Sequence, residues 1–355
     1  MVYTPSWLGR RAGVGLALAG LAAPIAVVGT QALLQASARA QQPGKKQTIL
    51  LVSYAVTKAA YDRIVPAFEA DWKARTGQSV TVKTSYGGSG SQTRAVIDGL
   101  EADVVGLALG GDVLKIQEAG LIEPGWEKEL PQDATITHSV VALIPREGNP
   151  KGIKTWQDLS KPGVTVVTAN PKTSGGARWN FLALWGSVTR DGGSESEARQ
   201  FVGKVYGNVE SLPRDAREAS DVFLKRGQGD VLLNYENEAI QARKSGELKQ
   251  AFLVPDLNIR IDGPIAVVDR NVDRKGTRKA AEGLAAFLQS DKAQEIFAEE
   301  GFRPVSKGVW AKTKDRFTPV ARLFTVADFG GWQKVNSSFF GDAGLWDQLF
   351  RQRQG

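Results

Sequence analysis

The sequence predicts an α/β protein of two lobes, each built on an open, mostly parallel sheet with helices on both faces. Three observations carry this expectation. Short apolar, β-branched runs alternate with longer segments of helical spacing along nearly the whole chain. The 355 residues suffice for two domains of ordinary size. No internal repeat or low-complexity linker divides the chain, which suits lobes joined by strands that cross between them.

The N-terminus stands apart from this rhythm. Arg10 and Arg11 precede a Gly/Ala/Leu/Val-rich run from Ala12 to about Ala36, then Ala38-Arg39-Ala40 and polar Gln41-Gln42-Pro43-Gly44. A basic flank, an apolar core and a small-residue exit describe a cleaved secretory signal peptide over residues 1–40. The run is long enough to span a bilayer as an uncleaved anchor, but its Gly/Ala content and its exit favour cleavage. The arginine pair raises twin-arginine export, which its flanks match poorly. No later apolar stretch approaches spanning length.

Beyond the leader, Thr48 to Val52 reads as a strand. Thr57 to Thr76 has helical spacing through Tyr61, Ile64, Val65, Phe68 and Trp72, with Pro66 expected to kink or restart it. Val80 to Thr84 alternates as a strand, Gln92 to Glu101 reads as helix, Val104 to Leu109 as a buried strand, and Val113 to Gly120 as a helix ending at glycine. The pattern then returns: strand Val164 to Thr168, helix Ala177 to Val188, strand Val209 to Leu212, helix Ala216 to Arg226, strand Val231 to Leu233, helix Glu236 to Lys244, strand Ile265 to Val268, and helices Arg278 to Leu288 and Lys292 to Glu300. The apolar runs Ser139 to Pro145 and Ile261 to Val268 lie between sets of alternating elements and are the expected crossovers. Residues 45–137 and 265–355 then form one lobe and 138–264 the other.

Composition narrows the chemistry. There are no cysteines, which removes disulfides, thiolate metal sites, cysteine nucleophiles and a lipidated cysteine anchor. His138 is the sole histidine, so a metal site would need several carboxylates around it, and a structural or surface role is expected. No cofactor is implied. The formal charge is +7; the leader contributes three arginines and no acids, leaving about +4 (7 − 3). The basic residues are interleaved with acids, with no stripe for nucleic acid. The nine tryptophans are scattered and read as packing rather than a sugar-binding cleft. Nothing pairs Asp103, Asp112, Glu236 and Glu238 into a catalytic carboxylate set. An acid beside an anion site would repel its ligand, so Glu236 and Glu238 read as residues of a helix start.

The strand-to-helix turns carry the functional signal. They are Ser53-Tyr54-Ala55, Tyr86-Gly87-Gly88-Ser89-Gly90-Ser91, Lys172-Thr173-Ser174-Gly175-Gly176-Ala177 and Arg214-Asp215-Ala216-Arg217. In open α/β sheets ligands bind beyond the carboxyl ends of the strands. Small residues there let a ligand approach the backbone, and the first N–H groups of a helix form an anion site. Taken singly, Gly-Gly-Ser-Gly is also a plain turn and Ser174 a plain N-cap. Neither loop has the P-loop spacing, and Ser89 lacks a nucleophile-elbow context. Their recurrence in an exported α/β chain points to an anion held without a countercharge.

The residues of these loops resemble the bacterial periplasmic sulfate-binding family, which includes thiosulfate binders. The matching stretches run from LLVSY near Leu50 through YGGSG at Tyr86, GLEADVV at Gly99, REGNP at Arg146, NPKTSGGARWN at Asn170, GDVLLNYENEA at Gly229 and FRP at Phe302 to LFTVADFGGW at Leu323. The resemblance implies a type II-like periplasmic-binding-protein clamp with two crossover strands, closing on a dehydrated dianion. Carried over residue by residue, it implies donors from the N–H groups of Ala55 and Ser89, the Ser174 hydroxyl, and the N–H groups of Gly175, Gly176 and Ala216. Three positions depart from the family pattern. Ala55 stands where Asp is frequent, and Ala216 lies in Pro-Arg-Asp-Ala-Arg-Glu rather than a Gly-containing stretch. Tyr235 stands where a tryptophan's indole N–H meets the ligand; a phenol also donates but can accept as well.

The implied function is capture of sulfate in the periplasm for an ATP-driven importer, with a membrane permease and an ATPase as partners. A clamp that needs free hinge motion is expected to act as a monomer. Thiosulfate preference, or service as an oxyanion sensor subunit, are the alternatives. A hydrolase or transferase would need a nucleophile, base or metal constellation, which one histidine and no cysteine do not supply.

Overall fold

The computed structural model describes residues 47–354. The leader and its exit lie outside these residues. Within them the alternation of the sequence becomes two units of sheet and helix. The larger unit holds a six-stranded sheet ordered β10-β4-β9-β3-β1-β2. Its parallel half is β1 (Gln47–Tyr54), β2 (Val80–Gly87) and β3 (Val104–Gly106), with β1 central. The apolar side chains of β1 are buried from Leu51 onward, as expected for a strand covered on both faces.

Three helices follow these strands: α1 (Lys58–Thr76), α2 (Ser89–Ile97) and α3 (Gly110–Glu118). The helix does not restart at Pro66: α1 runs unbroken past it. Its buried stripe of Tyr61, Ile64, Phe68 and Trp72 docks on the sheet and outweighs the hydrogen bond that proline cannot make.

The antiparallel half consists of β9 (Ile261–Val267), β4 (Thr135–Ser139) and the short β10 (Arg303–Pro304). Parallel pairing is therefore confined to one side of this sheet, because β4 leaves for the other unit and β9 returns from it. The smaller unit is a three-stranded sheet, β5-β7-β6, formed by β5 (Val141–Pro145), β7 (Val231–Tyr235) and β6 (Val166–Val167). The chain crosses at Val140, between β4 and β5, and again at Arg260, between β8 (Leu257–Ile259) and β9. The expected strand Val209 to Leu212 is absent; Val209 makes an isolated bridge to Val166.

The smaller unit carries α4 (Gly175–Thr189), α5 (Glu195–Gly207), α6 (Ala216–Leu224) and α7 (Glu236–Lys244). Every residue of α4 from Gly175 to Ser187 is buried. A helix apolar on all sides is one packed on all sides, and α4 is the shared wall of the molecule. The larger unit is completed by α8 (Asp269–Lys275), α9 (Arg278–Leu288), α10 (Asp291–Glu299) and α11 (Lys307–Thr313).

The C-terminal segment spans both units. Its strand β11 (Arg322–Phe324) pairs with β8, and α12 (Gly331–Val335) and α13 (Leu345–Gln354) follow. Trp332 lies so close over Gly111 of α3 that a Cβ there would fall 2.8 Å from its ring. Phe339, Phe340 and Trp346 pack edge-on against Phe181, and Phe339 against Trp185, on α4.

Candidate functional site

The four small-residue loops meet between the two units. Each begins a helical element. Ala55 opens a single 3-10 turn, Ala55–Thr57, directly after β1. Ser89 opens α2, Gly175 opens α4 with Ser174 as N-cap, and Ala216 opens α6 with Asp215 as N-cap. The first amides of such elements have no intrahelical acceptor and carry partial positive charge. The Ala55 turn packs against α6, and α2 against α4. Each contact joins an element of the larger unit to one of the smaller.

The glycines show how tightly the loops close. A Cβ on Gly88 would fall 2.5 Å from the Thr173 carbonyl oxygen and 3.1 Å from that of Arg214. One on Gly175 would fall 2.5 Å from Ala108 Cβ and 3.1 Å from Ser89 Cβ, and one on Gly176 would meet the Tyr235 ring at 2.7 Å. Ser89, Ser174, Gly175, Gly176, Ala216 and Tyr235 are all buried, whereas Ala55 is partly exposed. A cavity of about 620 Å3 opens beside them, lined by Ala55, Gly88, Ser91, Arg214 and Arg217 among others.

Local hydrogen bonds aim these groups. Asn170 binds its own turn: its side chain accepts the Lys172 N–H at 2.9 Å and its carbonyl accepts the Ser174 N–H at 2.8 Å. The Ser174 hydroxyl accepts the Ala177 N–H at 3.3 Å, so its proton is left to donate elsewhere. The Ser89 hydroxyl is fully engaged, accepting from Ala108 N–H at 3.1 Å and donating to Asp112 at 2.7 Å; only its backbone amide is left to face a ligand. Asn234 donates to the Ala216 carbonyl at 2.8 Å and accepts the Tyr235 N–H, fixing the start of α6 relative to β7.

Tyr235 brings an unmatched polar group to these loops. Its hydroxyl is buried and has no hydrogen-bond partner among the described residues. Burial holds its phenol well above the ordinary range, with Tyr54 and then Glu238 adding to the effect. A neutral donor therefore sits unmatched 3.1 Å from the position a Gly176 Cβ would occupy. An unmatched buried hydroxyl costs stability unless something else completes it.

The charged side chains that flank the loops are mostly paired. The Arg178 guanidinium is buried, pairing with Asp112 at 2.6 Å and donating to the Pro171 carbonyl at 2.9 Å. Arg217 pairs with Glu238 at 2.8 Å and binds Gln241. Glu238 also accepts from Ser220 at 2.6 Å, and burial raises its carboxyl despite the opposing Arg217 charge. Asp103 is held by Lys275 and Thr277, and Glu236 by Arg303 at 2.7 Å. His138 meets Asp262 at 2.7 Å on the crossover strands. No group of histidines and acids that could hold a metal occurs among the described residues. No described helix is long and apolar enough to cross a membrane.

Sequence reasoning did not identify the bonds that join the two units. Gly90 N–H donates to the Thr173 carbonyl at 3.0 Å, Trp179 Nε1–H to the Ala108 carbonyl at 2.8 Å and Arg94 to the Lys172 carbonyl at 3.2 Å. With the Arg178–Asp112 pair, these describe a closed cleft. Their partners are mostly backbone carbonyls, which carry no sequence signal.

The chain is similar to known proteins. A family model described as bacterial extracellular solute-binding protein matches residues 49–303. A sulfate-binding protein of Synechococcus elongatus is 58% identical over 307 residues, covering 86% of this chain and 87% of the relative. A thiosulfate-binding protein of Pseudomonas aeruginosa is 40% identical over 306 residues, covering 86% and 92%. Among solved structures, the sulfate-binding protein SubI from Mycobacterium tuberculosis superposes with a TM-score of 0.76 at 37% identity, covering 83% of this chain and all of that one.

Proposed function

The chain belongs to the bacterial extracellular solute-binding protein family, and on that premise we propose that it captures sulfate between its lobes and delivers it to an ATP-driven importer. The ligand is held by the amides of Ala55, Ser89, Gly175, Gly176 and Ala216 and by the hydroxyls of Ser174 and Tyr235. The single observation that carries this reading is the meeting of four loop-borne helix starts around a buried, unmatched Tyr235 hydroxyl. An ion whose oxygens only accept completes such a set without a countercharge.

Selectivity follows from the same arrangement. At neutral pH phosphate retains a proton that the main-chain amides making up most of the set cannot accept, so proton and amide are left unmatched in a dry site wherever they meet. Sulfate has no such proton. The function involves no bond-making: Arg178 and Arg217 beside the loops are committed to Asp112 and Glu238. Synthesis with a leader that is removed on export places the protein in the periplasm, where a permease and its ATPase accept the closed form. Hinge motion about Val140 and Arg260 opens the cleft.

The Tyr235 hydroxyl favours a second reading, in which thiosulfate is the preferred ligand, because a rotatable phenol adapts to an oxyanion with one unlike terminal atom. Calorimetric titration of ligand-stripped mature protein with sulfate, thiosulfate and phosphate at pH 5 and pH 8 separates the readings. Tight sulfate binding at both pH values with phosphate excluded supports the first, and a tighter thiosulfate isotherm the second. No binding of any of the three refutes both.

A further inference from the structure

A second cavity, of about 240 Å3, lies where the lobes join, away from the anion-binding loops. Its walls are largely apolar: Val140 at the first crossover, Pro304 at the end of β10, Val305 just past it, Trp310 on α11 and Leu323 on β11. Trp310 stacks on Phe317, ring centres 5.6 Å apart. Leu323 is 46% exposed, one of two large apolar side chains so exposed among the described residues. Single exposed apolar residues are ordinary; one on the rim of an apolar cavity extends that cavity's wall.

The ionisable groups of the lining are all basic or neutral: His138, Arg260, Arg303 and Lys307. Asp262 holds Arg260 and His138, and Glu236 holds Arg303, yet neither acid lines the cavity. Lys307 is exposed and has no carboxylate partner among the described residues. The cavity therefore presents an apolar pocket with one uncommitted cation at its edge and no negative charge. Its volume is below that of ordinary drug-sized sites, which limits an occupant to about one or two fused rings or a short chain.

We propose that this cavity binds a small amphipathic carboxylate, with its apolar body between Trp310 and Leu323 and its carboxylate on Lys307. Such a ligand buries the exposed face of Leu323 and supplies the missing counterion to Lys307. It also touches both lobes and the first crossover, so it favours the interlobe angle at which the cavity has this shape.

The test is titration of mature protein with the fluorescent carboxylate 2-naphthoate, with the neutral 2-naphthamide alongside. The expected result is saturable 2-naphthoate binding at one site, present with and without saturating sulfate. Leu323→Asp and Lys307→Glu, both at exposed positions, each weaken it by roughly fivefold or more, while Ser174→Ala leaves it within about twofold. 2-Naphthamide binds more weakly than 2-naphthoate to wild type, and Lys307→Glu leaves its binding little changed. Absence of saturable binding overturns the proposal, as does binding abolished by sulfate and indifferent to Leu323→Asp. Sulfate titration of the same samples reports the anion cleft separately.

Discussion

Gly175→Ala is the sharpest probe of the closed cleft. The added methyl would sit 2.5 Å from Ala108 Cβ and 3.1 Å from Ser89 Cβ and Leu109 Cδ2, all on the opposite lobe. Carbon atoms rest about 3.5–4.0 Å apart, so the closest pair falls short by about 1 Å. Ala108 Cβ has no rotamer through which to withdraw. All three nearest atoms belong to the opposite lobe, so the principal clash arises when the lobes meet. Overpacking of this kind costs roughly 1–3 kcal/mol, which corresponds to about 5- to 150-fold weaker ligand binding. Calorimetry with sulfate reads the loss, and thermal unfolding without ligand should shift little. Ala108→Gly added to Gly175→Ala should restore part of the affinity by removing the principal obstacle. Binding by Gly175→Ala within about twofold of wild type would refute the closed geometry.

Other substitutions report on neighbouring features. Tyr235→Phe removes a hydroxyl with no protein partner; sulfate affinity should fall by about tenfold or more, as for a hydrogen bond to a charged group, while the ligand-free protein gains slightly in denaturant midpoint. Arg178→Met leaves Asp112 buried without its partner and should cost about 3–5 kcal/mol in chemical unfolding; adding Asp112→Leu should recover much of it, and an equally unstable double variant would contradict the pairing. Burial, reinforced by the Asp269 charge, raises the Glu129 carboxyl from 4.5 to about 7. The native state then holds a proton between those values that the unfolded chain has released, so stability falls as pH rises through that window. Glu129→Gln should gain in melting temperature relative to wild type between pH 5 and pH 8, and parallel curves would exclude the shift.

The alternation of elements was legible because the buried stripes have clean periods. Arg278–Leu288 and Glu236–Lys244 fall where their spacing places them. The helix Glu195–Gly207 was overlooked although Ser194 and Glu197 form a capping box before it, a readable start signal. Val104 to Leu109 is apolar throughout, yet only Val104–Gly106 pairs as strand; an unbroken apolar run does not reveal where a ladder ends. The loops meeting at the site were visible as glycine- and serine-rich turns after strands. Their closure was not, since it depends on carbonyls of Thr173, Ala108 and Lys172 that any residue would provide. Asp112 illustrates the same limit: its partner Arg178 lies 66 positions away.

The crossed topology also governs how the polypeptide matures. The innermost partner of β3 is β9, made more than 150 residues later, and β10 at Arg303–Pro304 closes the far edge against β4. A nascent chain thus has β1, β2 and β3 in hand while β3 still lacks a neighbour on one side. Contacts so distant in sequence form slowly, and the exposed strand edge leaves early assemblies incomplete. Synthesis order therefore delays tertiary structure until nearly the whole length is available, the long-lived unfolded state that the proposed export would require.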